Sequence, residues 1–350
     1  MINRKEERKF QVLGHIIHLY VSTAIPVSSK TVAFRMGGAV SSATIRNIMA
    51  ELEEQGYIMQ PHTSAGRVPT HFGYRRYVDS IQAEIIQRRE EAERLREEYR
   101  RRISTIKEVI ETTSYLISRE LHNAGIVMWP NIENFYLKHM ELIKLKAETI
   151  LAVLVSMTNA VKNCIVRLDH EIGKAELEQV ANFINTNYER APFSDISGEL
   201  RKITNGPGSE HYGEAVKIAG TALKIIDSVI SENIENEIYW QGLDYFVNEP
   251  EFQDLELTRK ILHIFSDRSE LARLLRTELP YDGIKIYIGR ENSCEVLKEC
   301  TLITCGYRLK GATIGRIGVV GPTRMDYEHA LRTVSCLAGV VSSKLDEING

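Results

Sequence analysis

Two short stretches carry the side chains that could do chemistry. On a helix starting after Ser41 or Ser42, the face opposite the apolar residues presents Ser42, Ala43, Arg46, Asn47 and Ala50. Small residues let a helix approach closely, and Arg or Asn can make paired hydrogen bonds to base edges in the major groove of DNA. About twenty residues on, Arg67 stands at the expected tip of a hairpin, where a cation reaches a phosphate or the minor groove. Arg75 and Arg76 follow on the next helix, within range of the DNA backbone.

These side chains need elements to hold them. Phe10, Leu13, Ile16, Ile17 and Tyr20 recur at three- and four-residue steps and predict a first helix buried on one face. Pro26 breaks the chain. Ser28 or Ser29 can then cap a second short helix running to about Met36. Gly37 and Gly38 provide a sharp turn. Ile45, Ile48, Met49 and Leu52 form the buried stripe of the third helix, and Gly56 occupies its C-terminal cap position. Its acidic residues Glu51, Glu53 and Glu54 fall near the helix end, predicted to point away from phosphates. A short strand over 57–60, a turn over 62–66 and a return through Arg67 and Val68 complete an edge hairpin, a position that tolerates Pro61 and Pro69. Helix, turn, helix and basic hairpin, in that order, predict a winged helix-turn-helix over residues 1–80.

Size and charge agree with that division. A chain of 350 residues calls for two or three domains. Its 43% hydrophobic and 26% charged content is that of a soluble globular protein. The net charge is −3, but residues 1–80 hold ten Lys+Arg against six Asp+Glu, which gives +4 there and leaves −7 for the rest. A basic head on an acidic body suits a DNA-binding head. Five scattered cysteines without a CxxC pair predict reduced thiols and no metal site. The N-terminus is charged from Arg4 to Lys9 without an apolar signal region, and no apolar run reaches the ~18 residues a membrane span needs. The expectation is a cytoplasmic protein with no membrane association.

Beyond the head, residues 81–110 are rich in Glu and Arg around a stripe that includes Leu95, Tyr99, Ile106 and Ile110, which predicts a linker helix over about 81–115. Strand patterns follow at 125–129, 136–143, 150–157 and 161–168, with a helix at 173–188. Further strands are expected at 283–288, 300–307 and 312–320, and a closing helix at 326–345. Residues 191–280 read as mostly helical. The prediction is an α+β multidomain protein whose mixed α/β domain, 116–190 with 281–350, is split by an inserted helical block. No catalytic constellation stands out. The segment 318–327 could place Arg324 against an anion at a helix N-terminus, or be a tight connection with Asp326 as N-cap, the plainer reading.

Several stretches are more specific than pattern. PVSSKTVA at 26–33, VSSATIRNIMAELEEQGYI at 40–58, QPHTSAGRVPT at 60–70 and GYRRYVD at 73–79, with GRENS at 289–293 and IGVVGPTRMDY at 317–327, closely resemble the bacterial heat-inducible transcription repressor family HrcA. The turn at 35–39 departs from the one expected of that family. The resemblance implies a winged-helix head, a GAF-like domain (116–190 and 281–350) and a dimerising domain inserted at 191–280. It implies a homodimer on double-stranded DNA, at an inverted-repeat operator called CIRCE upstream of chaperone operons. It also implies a nucleoid-associated location and activity that depends on a GroE-type chaperonin. Ser41, Ser42, Thr44, Arg46 and Asn47 fall in the family's recognition-helix motif, and Ser64, Gly66 and Arg67 in its wing. No cofactor is implied. Two rival readings are a regulator switched by a small molecule in the GAF-like domain and an enzyme with a nucleic-acid-binding head, the latter opposed by the lack of clustered acid–base or nucleophilic residues.

Overall fold

The computed structural model describes residues 4–62, 65–85, 94, 95, 97, 99, 103, 105–130, 136–157, 161–205, 213–231, 238–266 and 268–349. The head comprises α1 (Arg4–Thr23), α2 (Ser29–Arg35), α3 (Ser42–Glu54), the two-residue strands β1 (Ile58–Met59) and β2 (Val68–Pro69), and α4 (His71–Ile85). Leu13, Ile16 and Ile17 of α1 pack with Val32 of α2, with Ile45, Met49 and Leu52 of α3, and with Ile58. Phe10 and Tyr20, expected in the buried stripe, lie at its margin. Between α2 and α3 both Gly37 and Gly38 take positive φ, so the turn that departs from the family pattern closes with two glycines. β1 and β2 pair antiparallel, Ile58 with Pro69 and Met59 with Val68.

The body begins with α5 (Ile106–Leu121), whose first turn is closed by a reciprocal Thr105–Glu108 capping box. α5 lies against β3 (Ala124–Met128) and buries Ile106, Val109, Ile110, Leu116 and Ile117. The stripe expected to make a linker helix over 81–115 therefore ends as part of the body. Leu95 and Tyr99 of that stripe are buried, and the Tyr99 hydroxyl bonds to Thr113. Most of 86–105 lies outside the described residues.

Next come β4 (Leu137–Lys144), β5 (Thr149–Ser156), β6 (Val161–Arg167), α6 (Lys174–Asn187), α7 (Phe193–Asn205) and α8 (Gly213–Ser231). They are followed by β7 (Ile238–Gln241), α9 (Leu243–Val247), α10 (Leu255–Ser266), α11 (Arg268–Thr277), β8 (Ile284–Ile288), β9 (Cys300–Leu309), β10 (Ala312–Pro322) and α12 (Tyr327–Asn349). The strands expected at 125–129, 136–143, 150–157, 161–168, 283–288, 300–307 and 312–320 all occur, shifted by at most two residues at either end.

Their pairing divides the chain differently from the boundaries expected at 191 and 281. One antiparallel sheet has the order β7-β3-β10-β9-β8, and β4-β5-β6 form a separate three-stranded sheet. The inserted unit is thus 136–231, a sheet with α6, α7 and α8, and not a helical block over 191–280. The helices α10 and α11 belong to the larger sheet: Ile261, Ile264, Phe265, Leu271 and Leu275 pack with Ile126, Met128, Ile238 and Leu302. On the opposite face Val127, Ile303, Ile317 and Val319 pack with α5 and α12. Alternation along a strand shows which residues face together, but which sheet a strand joins depends on a distant partner. The short strand β7, inside the expected helical block, supplies that partner for β3.

Candidate nucleic-acid interface

The helix α3 is held rigidly at both ends. Ser41 Oγ accepts the Thr44 N–H at 3.1 Å and shares a 2.9 Å hydroxyl contact with Thr44 Oγ1. At the other end Tyr57 N–H donates to Leu52 O and Gly56 N–H to Glu53 O, a Schellman closure with Gly56 at φ +76°. Between the caps, Ala43, Thr44, Arg46, Asn47 and Ala50 are exposed and Ser42 is half-buried. Among the described residues no protein group hydrogen-bonds the side chains of Arg46 or Asn47. Ser41 and the Thr44 hydroxyl, by contrast, are engaged in the cap.

The acidic end of α3 is neutralised from within the head. Glu53 receives Arg67, from Nε at 2.9 Å and from Nη2 at 2.8 Å. Glu51 receives the buried Lys9 at 2.9 Å, and Lys9 also reaches Glu6 at 2.8 Å. Hydrogen bonds to Glu6 and then Glu51 raise the Lys9 pKa. No sequence pattern marked either pairing, because the partners lie far apart along the chain.

Arg67 is consequently not at the hairpin tip. Its backbone exchanges two 2.8 Å hydrogen bonds with Val27, so the return strand is stitched to the segment before α2. The turn lies earlier, where Ala65 N–H donates to His62 O. Gly66 is required by this stitch: a Cβ there would stand 2.5 Å from Val27 O. Ser64 lies outside the described residues.

Arg75 and Arg76 also differ from expectation. Arg76 lies 3.9 Å over the Phe10 ring. Arg75 spans from the head to the body. Its Nε donates to Glu291 Oε1 at 2.8 Å and its Nη2 to Ile286 O at 2.7 Å and to Glu291 Oε2, while Nη1 reaches Asp79 at 3.3 Å. Burial pushes the Glu291 carboxyl up, but the hydrogen bonds from Arg75 and the Ile288 N–H, with the Arg75 charge, outweigh it and leave its pKa below the usual carboxylate range.

Both C-terminal motifs meet the head. His71 lies against Gly289, where a Cβ would come within 2.4 Å of Nδ1. Arg324 Nη1 donates to Val21 O at 2.8 Å, while its other nitrogens bind Glu249 and Glu251. Asp326 Oδ1 accepts the His329 N–H at 3.0 Å, which makes it the N-cap of α12. Arg324 is thus a fastening between head and body, and 318–327 is the tight strand-to-helix connection.

An open groove between β4 and α6 lies in the inserted unit, whereas the larger sheet is packed on both faces. No helix among the described residues is long and apolar enough to cross a membrane.

Comparison with known proteins gives the class first. Residues 107–331 match the family model described as HrcA protein C terminal domain. The heat-inducible transcription repressor HrcA of Syntrophobacter fumaroxidans is 38% identical over 346 residues, with 97% of each chain covered. Its counterpart from Geobacter sulfurreducens is 34% identical, covering 97% of this chain and 98% of its own. A crystal structure described as a hypothetical protein has the same fold, with a TM-score of 0.66 and 23% identity over 99% of this chain and all of its own. The two relatives named HrcA are heat-inducible transcription repressors. The chain belongs to the HrcA family of heat-inducible transcription repressors.

Proposed function

We propose that the head is a winged helix-turn-helix that represses transcription by laying α3 in the major groove of an inverted-repeat operator of the CIRCE type. The observation that carries this reading is the exposed face of α3, where Arg46 and Asn47 have no side-chain hydrogen bond among the described residues and stand between two firm caps. Ser42 and Ala43 allow close approach, and Ser41 with Thr44 fixes the helix start. Gly66 and Arg67 hold the hairpin in place beside α3, where the wing can meet the backbone or minor groove.

An inverted repeat calls for two heads related by a two-fold axis. We assign the dimer contact to the inserted unit, whose three-stranded sheet, among the described residues, is covered on one face only. Ile150, Ala152, Leu154 and Val166 are buried under the helices, while Val161 and Ile165 on the other face are 66% and 61% exposed. An open apolar face of this kind suits a second copy. The larger sheet is the GAF-like domain in this reading.

Derepression on heat stress follows if the active fold depends on a GroE-type chaperonin that misfolded proteins occupy. A native state only a few kcal/mol below the unfolded chain would let a modest temperature rise change the active fraction several-fold. Complete unaided refolding, with full operator binding at heat-shock temperature, would sink this part.

Fluorescence anisotropy against an inverted-repeat duplex and a scrambled duplex, at two salt concentrations, with and without chaperonin, tests the whole. Repeat-specific binding supports the repressor reading. Equal, salt-labile binding to both duplexes reduces it to phosphate attraction.

A further inference from the structure

Arg75 follows the hairpin directly. β2 ends at Pro69, α4 begins at His71, and Arg75 lies in the second turn of α4. A guanidinium there is placed for a DNA phosphate beside the wing. In the structure that guanidinium is already taken. Glu291 accepts from both Nε and Nη2, the paired geometry that a phosphodiester would use. Glu291 is itself held in place, because its Oε2 also accepts the Ile288 N–H at 2.9 Å. That hydrogen bond belongs to the tight turn carrying the GRENS motif. The pair is reachable by solvent: the Arg75 side chain is 27% exposed and that of Glu291 38%.

We propose that Glu291 is an intramolecular stand-in for a DNA phosphate, holding Arg75 and with it the head in a latched, weakly binding state. The inference rests on the DNA-binding reading and adds regulation to it. The Nε–Nη2 edge of Arg75 that Glu291 occupies cannot hold a phosphate at the same time, so phosphate binding through that edge and release from Glu291 are linked. Arg324 forms a second fastening between head and body. Its Nη1 holds Val21 O near the end of α1, while Glu249 and Glu251 occupy the rest of its fork. The remaining groups facing Arg75 are Asp79, on the same helix, and Ile286 O. Asp79 stays with Arg75 whether or not the head moves. Of the contacts that Arg75 makes, those with Glu291 and Ile286 O must break, and head movement also parts Arg324 from Val21 O. The latch also explains why a head motif and a body motif so far apart in sequence meet at one point.

The test compares the full-length protein with Glu291→Gln, Arg75→Ala and the double variant. Each is titrated by anisotropy against an inverted-repeat duplex and a scrambled one over a salt series. Gln keeps an acceptor for Ile288 but no charge for Arg75. Glu291→Gln should bind both duplexes about three- to tenfold tighter at low salt, with a salt slope steeper by roughly 0.9 per head, the signature of one more phosphate neutralised. The double variant should match Arg75→Ala. If the unaltered protein binds and Glu291→Gln is no tighter, the latch is overturned while the DNA-binding reading stands. If no form binds either duplex, both fall. Amide exchange on the unaltered protein gives a second readout that needs no variant. Bound duplex should speed exchange across 286–291 if the latch opens, and unchanged or slower exchange there overturns it.

Discussion

Arg67 donates from Nε and Nη2 to a single oxygen of Glu53, so the return strand of the hairpin is tied to the last turn of the helix proposed to read bases. Replacing either partner frees the hairpin from α3. Arg67→Ala should cost about 0.5–1 kcal/mol of stability, since the pair is partly exposed, and should weaken specific and scrambled DNA alike. Glu53→Ala should cost a similar amount. Thermal melts of the single and double variants check the coupling: if the two losses simply add, the pair is not holding the hairpin.

Arg46 behaves differently if it reads a base. Arg46→Ala should lose about 1–3 kcal/mol on the operator, little on scrambled DNA, and nothing in thermal stability. Ser41→Ala is the contrasting variant. It removes the N-cap of α3 and should lower stability by about 1 kcal/mol. Equal losses on both duplexes for Arg46→Ala would remove its base-reading role.

Gly66→Ala places a methyl 2.5 Å from the Val27 carbonyl oxygen. The two 2.8 Å hydrogen bonds between Val27 and Arg67 must then lengthen or break. A stability loss of about 1–3 kcal/mol is expected, measured by denaturant unfolding. An unchanged midpoint would show that the stitch adapts freely.

Ile165 and Val161 project from the open face of the β4-β5-β6 sheet. Ile165→Glu should shift the protein to monomers in sedimentation equilibrium without lowering the melting temperature of its own core, and should reduce operator affinity by losing the second head. A variant that stays dimeric would move the interface elsewhere.

The latch has a pH signature. The folded-state pKa of Glu291 lies below its unfolded value. The ionised carboxylate therefore favours the folded, latched form, fully so above the unfolded value of about 4.3. That contribution is lost as pH falls through the lower folded-state value. Urea unfolding of the unaltered protein and of Glu291→Gln should differ at pH 6 and converge as pH drops through the carboxylate range. A constant difference would mean that the Glu291 charge contributes nothing to the fold.

The head was readable because its signals are local. Ser28 and Ser41 do cap α2 and α3, Gly56 does close α3, and the apolar spacing of Ile45, Ile48, Met49 and Leu52 does bury that face. Individual strands were readable for the same reason. The partners were not. Glu53 with Arg67, Lys9 with Glu51 and Arg75 with Glu291 are set by folding across long sequence separations, and a lone arginine looks equally available in all three cases. Sheet membership failed likewise: β4, β5 and β6 alternate as any half-buried strand does, and nothing in their side chains excludes them from the larger sheet. The four residues of β7 are too few to register against a helical background.

The pairing of Gly125 with Gln241 and of Ile126 with Gly318 also orders events in time. β4, β5 and β6 can zip together as consecutive hairpins, with little chain to close. β3 has no such neighbour. One of its edges waits for β7, beyond the whole inserted unit, and the other for β10, further still along the chain. During that interval Ile126, Val127 and Met128 present an apolar strand with unpaired backbone on both sides, the kind of surface that aggregates or is held by a chaperone. Early folding of 136–231 draws the ends of β3 and β7 together and shortens the loop to be closed. It leaves the second edge open until β10 docks, so β3 stays exposed for as long as that docking takes.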